Sequence, residues 1–369
     1  MCTCTLRSNR ARHDLFLLIL ILPLVVRAAT GFVTTGGTAA ASVLQRIPAV
    51  SASTACRRSP TGGVLEYLSA NPRAVDNMHM LASRSKTDDL RELLNKGDIL
   101  VMPCCYDGLT ARLVEDAGFP LTFMTGFGVS GAHGLPDTQL ISYAEMLASA
   151  TNICSTLREI PCIGDGDTGY GNSVNVKRTV KGYAQVGMAG IMIEDQIAPK
   201  RCGHTRGKSV VGREEAYSRV RAACDARDEG ADTLIMARTD ARAGLGLEEA
   251  LERCREFRKI GADITFLEAP QSVEEMKRFC QEVDGPKLAN MLEFGKTPIL
   301  PPAELQEMGY TIAAYPLSLL SASIKAMNAA LARLKAGEPL DDMLEGFEEV
   351  QRVVGFRDYD ETAANYKID

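Results

Sequence analysis

Tryptophan is absent and histidine occurs four times in 369 residues. The first absence bears on no chemistry. The second matters, because no histidine or cysteine pairing has the spacing of a zinc site. There is no lysine/arginine tract, so nothing suggests nucleic-acid binding. Long apolar runs are equally scarce. The one present, Leu15–Val26, is broken by Pro23 and is too short for a stable membrane span. Lysine is missing from residues 1–75, where eight arginines face only Asp14 and Glu66. That net charge of +6 leaves −12 for the rest of a chain whose total is −6. An acidic body of this kind can still take an anionic ligand, because a local site or a metal overrides net charge.

What is present has ordinary globular proportions, 46% hydrophobic and 24% charged, enough to bury a core without disulfide staples. The 11 cysteines form no small Cys-rich framework. Three lie before residue 75 and the others are scattered through expected strands and helices, so most read as free core thiols of a reducing compartment.

The first eighty residues read as an address. Arg7, Arg10 and Arg12 precede Leu15–Val26, which has the length of a signal-peptide core, and Arg27-Ala28-Ala29-Thr30-Gly31-Phe32 supplies small residues for cleavage. The Ser-, Thr-, Ala- and Arg-rich stretch that follows has transit-peptide composition. Together they resemble the bipartite plastid signals of algae with secondary plastids, with the secretory pathway as the alternative. The expected organisation is 1–80 targeting segment, 81–335 catalytic domain and 336–369 helical extension, with no stable membrane span in the mature protein.

Short apolar runs recur at 99–102, 121–125, 162–164, 190–193, 233–237, 264–267, 287–290 and 311–314. They are continuous rather than alternating, as in strands buried on both faces. Amphipathic segments at 107–117, 142–158, 174–187, 213–229, 247–260, 272–283 and 301–308 separate them. Strict alternation means a parallel sheet, and eight such units predict a single (β/α)8 TIM barrel. A doubly wound sheet would want a glycine-rich turn after the first strand, and Met102-Pro103-Cys104-Cys105-Tyr106-Asp107 is none. Two extra C-terminal helices, 317–335 and 341–354, are not needed to close the barrel and suit packing against a neighbouring subunit.

Barrel chemistry sits at the C-terminal strand ends. There the chain carries Thr125-Gly126-Phe127 with Asp137 beyond, then Asp165-Gly166-Asp167, Glu194-Asp195, Arg238-Thr239-Asp240, Glu268 and Asn290. Like charges at one mouth repel, and a divalent cation resolves the repulsion. Oxygen donors without convergent histidine favour Mg2+, with Mn2+ possible, over zinc. The loop Lys200-Arg201-Cys202-Gly203-His204 sets a thiol beside basic groups, which lowers a thiol pKa and suits Cys202 to proton transfer or nucleophilic attack. Cys154, Cys224, Cys254 and Cys280 read as structural, His79 and His133 as incidental. Cys104 and Cys105 fit either the mouth or the core.

These residues resemble the isocitrate lyase/phosphoenolpyruvate mutase superfamily over about residues 88–355. The resemblance rests on Asp165-Gly166-Asp167-Thr168-Gly169-Tyr170-Gly171-Asn172, Ile193-Glu194-Asp195-Gln196, Lys200-Arg201-Cys202-Gly203-His204, Ala237-Arg238-Thr239-Asp240, and Asn290-Met291 with Gly295-Lys296-Thr297-Pro298. It implies a Mg2+ shell of Asp165, Asp167 and Glu194, with Asp137 near the metal and its waters. It implies substrate contacts from Thr125, Gly126, Phe127, Gly203, Arg238, Glu268 and Asn290, and catalysis by Cys202, Lys200, His204 and Arg238. The Cys-Gly-His loop resembles the lyase branch, with 2-methylisocitrate lyases, dimethylmalate lyases and the petal death protein. The implied reaction cleaves a small 2-hydroxy di- or tricarboxylate to a 2-oxoacid and a carboxylate, with Cys202 as general acid. Plant plastid relatives bearing the name carboxyvinyl-carboxyphosphonate phosphorylmutase share the motif set. Phosphonate P–C mutase and oxaloacetate hydrolase chemistry are the alternatives. The resemblance also implies a homo-oligomer, a tetramer with residues 318–334 exchanged between subunits.

Overall fold

The computed structural model of the chain describes residues 84–203 and 207–367, so the 1–80 address and His204 lie outside the described residues. The chain divides into two units, Met1–Met80 and Leu81–Asp369, and the second contains both the barrel and the helices after it.

Helix α1 (Lys86–Asn95) opens the unit. The barrel follows as β1 (Leu100–Cys105), α2 (Gly108–Asp116), β2 (Thr122–Met124), α3 (Gly126–Ala132), α4 (Tyr143–Thr156), β3 (Cys162–Asp165) and α5 (Ser173–Gln185). It continues with β4 (Gly190–Glu194), α6 (Arg213–Asp228), β5 (Leu234–Thr239), α7 (Arg242–Leu245), α8 (Leu247–Ile260), β6 (Ile264–Leu267) and α9 (Val273–Glu282). It ends with β7 (Lys287–Asn290), α10 (Pro302–Met308) and β8 (Ile312–Tyr315), before α11 (Ser318–Ala336), α12 (Phe347–Val354) and α13 (Phe356–Ala364). The eight strands are all parallel and close in sequence order, β8 returning to β1 through the Leu100–Ile312 to Pro103–Tyr315 register. The expected TIM barrel is therefore the observed fold.

Inside the barrel, Met102, Phe123, Met192, Met236, Phe266 and Leu288 form one buried cluster. Each such side chain stabilises the fold by roughly 1.5–3 kcal/mol when fully buried. Leu90 of α1 joins that cluster with Leu100 and Leu121 at the strand starts, plugging the end opposite the acids. Helix starts are set locally. Asp107 and Thr110 form a capping box on α2, Ser142 and Glu145 one on α4, and Asn172 caps α5.

Two expectations need correction at the C-terminus. The helix expected over 341–354 begins only at Phe347, because Gly346 adopts an extended conformation and stops it from reaching further back. A further helix, α13, follows Gly355. Helix α11 buries none of its residues, and Met327, Leu331 and Leu334 are 55%, 62% and 58% exposed. No helix among the described residues is long and apolar enough to cross a membrane.

Candidate active site

The chemistry-bearing residues are gathered where β2 to β7 end. One cavity of about 630 Å³, open to solvent, is lined by Thr125, Phe127, Asp137, Asp165, Lys200, Cys202, Gly203, Arg238, Glu268 and Asn290. Asp167, Glu194 and Gly126 do not line it, but adjoin members that do: Lys200, Arg238 and Asp165. Apolar side chains line the same cavity: Phe123, Met192, Phe266, Leu288, Leu292 and Leu317. Cys104 also reaches the cavity, whereas Cys105 packs in the core outside the barrel.

Asp165, the last residue of β3, accepts from the Gly126 amide at 3.1 Å and from the Asp167 amide at 3.0 Å. Burial, and then the neighbouring Asp167 charge, push its carboxyl up to about 6. The glycine between the two acids has a packing reason: a Cβ on Gly166 would lie 2.6 Å from the Met192 carbonyl oxygen of β4. Asp167 then takes a left-handed conformation, φ +47°, and turns its carboxylate toward Lys200 at 2.9 Å and Tyr170 Oη at 3.0 Å. Lys200, 6% exposed, also bonds Asp137. Burial opposes its charge, but Asp167, Asp165 and Asp137 outweigh it and hold the ammonium protonated well above the usual lysine range.

Glu194, the last residue of β4, is raised well above the ordinary carboxylate range by burial, with Arg238 opposing the shift. Its Oε2 is 3.3 Å from Arg238 Nε, and its Oε1 is buried with no hydrogen-bond partner among the described residues. Arg238 also meets Asp240 at 2.8 Å and Glu268 at 3.2 Å, and stacks over Phe266 with its guanidinium carbon 5.0 Å from the ring centroid. Asn290 Nδ2 donates to Glu268 at 3.3 Å. Gly203 is a glycine because a Cβ there would lie 2.4 Å from Arg238 Nη2 and 2.6 Å from Glu268 Cδ. Thr125 caps α3, its hydroxyl accepting from the Gly128 amide at 3.4 Å.

Several supporting residues were not singled out from sequence. Gln196 makes a two-way clasp with Arg201, donating to its carbonyl at 2.8 Å and accepting from its amide at 3.0 Å. Gln139 accepts from the Lys200 amide at 3.2 Å. Lys208 joins Asp240 to the Gly203 carbonyl. Gln139 and Lys208 reach Lys200 and Asp240 across 61 and 32 positions, and the Gln196–Arg201 clasp lies within one irregular loop, so no periodic spacing betrays them. Among the described residues no group of three acid, histidine or cysteine side chains is set to hold an ion as it stands. Lys200 supplies the positive charge between Asp137 and Asp167.

A closed parallel barrel with acids, a guanidinium and a thiol at its C-terminal mouth has the arrangement of a barrel enzyme. The family model described as phosphoenolpyruvate phosphomutase matches residues 90–335. The chain is 42% identical to 2,3-dimethylmalate lyase of Eubacterium barkeri over 281 residues, 75% of this chain and 96% of that one. It is 40% identical to 2-methylisocitrate lyase of Aeropyrum pernix, over 74% of this chain and 89% of that one. To the chloroplastic carboxyvinyl-carboxyphosphonate phosphorylmutase of Arabidopsis thaliana it is 39% identical, over 80% and 88% of the two chains. Among solved structures, 2,3-dimethylmalate lyase matches with TM-score 0.74 at 38% identity, covering 77% of this chain and 96% of that one. Oxaloacetate acetylhydrolase with 3,3-difluorooxalacetate matches with TM-score 0.73 at 36% identity, covering 76% and 97%. Phosphonopyruvate hydrolase with oxalate and Mg2+ matches with TM-score 0.69 at 28% identity, covering 77% and 99%. The chain belongs to the phosphoenolpyruvate mutase/isocitrate lyase superfamily. Within it, the chain is an enzyme of the carbon–carbon lyase class.

Proposed function

We propose that this protein is a Mg2+-dependent lyase that cleaves a small 2-hydroxy di- or tricarboxylate, of 2-alkylmalate or 2-methylisocitrate type, to a 2-oxoacid and a carboxylate. The observation that carries the reading is that Cys202 and Gly203 line one cavity with Arg238, Glu268, Asp137 and Asp165, together with apolar side chains. Charged groups and hydrocarbon in one cavity suit a carboxylate bearing an alkyl substituent.

The donor set fits magnesium, or manganese, in its chemistry. It is all carboxylate oxygen, one buried oxygen of Glu194 has no hydrogen-bond partner among the described residues, and Asp165 is a carboxyl that gains from a nearby cation. Asp165, Asp167 and Glu194 would hold the ion, with Asp137 beside it. Bound there, it would stabilise negative charge on the substrate's 2-oxygen and adjoining carboxylate.

Arg238, with Thr125, Gly126, Asn290 and Glu268, orients the substrate carboxylate, and Phe127 borders the substituent. Loss of the hydroxyl proton lets the C2 oxygen form a carbonyl as the adjacent C–C bond breaks. The bonding pair leaves with the other fragment as an enediolate. The Cys202 thiol gives its proton to that carbon, and the proton removed from the hydroxyl restores the balance. Lys200 sets its positive charge against Asp137 and Asp167, and His204 belongs with Cys202 in the proton-transfer group. Phe123, Phe266 and Leu288 exclude water from the carbanionic side.

The oxaloacetate acetylhydrolase likeness supports a second reading, in which water attacks a 2-oxo dicarboxylate at the same mouth. The exposed face of α11 supports a homo-oligomer, a tetramer by the family resemblance. The chloroplastic relative supports delivery of the chain to a plastid by its 1–80 segment.

The test is a panel of 2-alkylmalates, 2-methylisocitrate, isocitrate, oxaloacetate and phosphonopyruvate, presented to the purified protein in Mg2+. Release of a 2-oxoacid from a hydroxy acid, stopped by EDTA, is the expected result. Cys202→Ser should then cut turnover by about 10²–10⁴-fold, the range of one positioned proton donor. Turnover of phosphonopyruvate alone, or of oxaloacetate alone, would overturn the lyase reading.

A further inference from the structure

Lys208 is a charged residue with a buried head, and the reaction above gives it no part. Its side chain is 2% exposed, and its Nζ donates at 2.6 Å to two acceptors, the Gly203 carbonyl oxygen and Oδ1 of Asp240. Both lead to the reacting groups. Gly203 follows Cys202, so holding its carbonyl fixes the main chain one peptide beyond the residue that carries the thiol. Asp240 is fully buried and binds Arg238 twice, Oδ2 accepting from Nε at 2.8 Å and Oδ1 from Nη2 at 3.2 Å. Burial disfavours the Asp240 carboxylate, yet Arg238 and Lys208 together hold it below its ordinary range, so the ammonium faces a full charge.

Asp240 is in turn rigid. Its amide donates to Asp195 at 2.9 Å, and Asp195 is tied to Thr239 at 2.6 Å and Arg253 at 2.9 Å. Main chain at residue 203 lies so close to Arg238 and Glu268 that a single Cβ would collide with both. A loop peptide pressed this tightly onto two charged side chains needs a fixed anchor. The buried donor available from the loop's own far side is Lys208, five residues on.

From these contacts we infer that Lys208 is a positioning residue for the reaction. It ties the main chain at Gly203, the residue after Cys202, to the Asp240–Arg238 pair, so that the proton-donating thiol and the substrate-holding guanidinium keep one fixed separation. The inference rests on the proposed role of Cys202. A small displacement of a proton donor costs turnover rather than binding.

The experiment is a double-mutant cycle on the intact protein, with steady-state kinetics and thermal midpoints for wild type, Lys208→Met, Cys202→Ser and the double variant. Lys208→Met should lower kcat at least about tenfold while changing KM less than about threefold. In the Cys202→Ser background the same substitution should change the residual rate less than about twofold, because the thiol it positions is gone. Lys208→Arg, which keeps donors, should recover part of kcat. Equal losses in both backgrounds, or a lowered thermal midpoint with unchanged kcat, would reduce Lys208 to a structural ion pair and overturn the inference. If Lys208→Met does not fold, Lys208→Gln goes through the same cycle with the same expectations. Cys202→Ser with wild-type turnover would remove the proton-donor assignment and this inference together. An impaired Cys202→Ser beside an unimpaired Lys208→Met removes only the inference.

Discussion

Arg253 Nη1 lies 2.9 Å from Asp195 Oδ2, a pair of opposite charges whose side chains are 2% and 1% exposed. The pair joins α8 to the loop after β4, and Asp195 also receives the Thr239 hydroxyl and the Asp240 amide. Burial pushes the Asp195 carboxyl up, with Arg253 among the groups that counter it.

Arg253→Met would leave Asp195 charged, buried and short of its cation. Removing one partner of such a pair costs roughly 3–5 kcal/mol. Urea titration should show that loss as a lower midpoint. Asp195→Asn added to Arg253→Met should recover part of it, since the stranded charge is then gone. A single variant with an unchanged midpoint would mean the pair contributes no stability.

Metal binding should depend on pH through Asp165. Its folded carboxyl keeps a proton to about pH 6, whereas an unfolded one loses it near about 4. The folded chain therefore binds more protons between those values, and this residue's contribution to metal-free stability falls as pH rises from about 4 to 6. A cation must displace that proton, so the Mn2+ dissociation constant should rise about tenfold per pH unit below about 6 and level off above it. Paramagnetic titration at several pH values measures this. A flat profile from pH 5 to 8 would separate Asp165 from the metal. Stripping the ion with EDTA should abolish turnover, and added Mg2+ should restore it.

Gly126→Ala should weaken the same ion without touching an acid. Its Cβ would stand 2.6 Å from Asp165 Oδ2 and 3.0 Å from Cγ, so the carboxylate must move. Groups that only orient a metal ligand typically carry a 10–100-fold effect on affinity. We expect a loss of at least about tenfold for Mn2+ with a fold intact by circular dichroism. Unchanged affinity would show that Asp165 has room to spare.

The face of α11 bearing Met327, Leu331 and Leu334 should be covered by another subunit. Light scattering of the full chain should give a multiple of the 39.9 kDa protomer mass. Met327→Arg with Leu331→Arg should shift it toward the monomer, because burying two unpaired charges in an interface is costly. A wild-type protein that runs as a monomer would refute the expectation.

The eight strands were legible because a strand buried on both faces is written as an uninterrupted apolar run. β6 and β7 were bounded to the residue. β1 ran three residues past its expected end, continuing through Pro103, whose carbonyl accepts from Thr122 Oγ1 at 2.9 Å. Helix α3 was not expected, since Gly126-Phe127-Gly128 reads as loop, and its start depends on a cap from Thr125. The acids of the mouth were legible because they end strands. The groups around the Cys202 loop were not: Gln139 and Lys208 acquire meaning only through Lys200 and Asp240, which the fold brings near, and Gln196 through a clasp with Arg201 inside an irregular loop.

That division has an evolutionary consequence. The acids are mounted on strand ends fixed by the hydrogen-bonded barrel, while the thiol is mounted on a loop pinned by three side chains. The two halves of the machinery can therefore diverge at different rates. On the proposed lyase reading, exchanging the stretch from Arg201 to Ser209, with Lys200 kept beside Asp137 and Asp167, would rewrite the fate of a reactive intermediate, protonated or trapped by water, without refolding the scaffold that generates it.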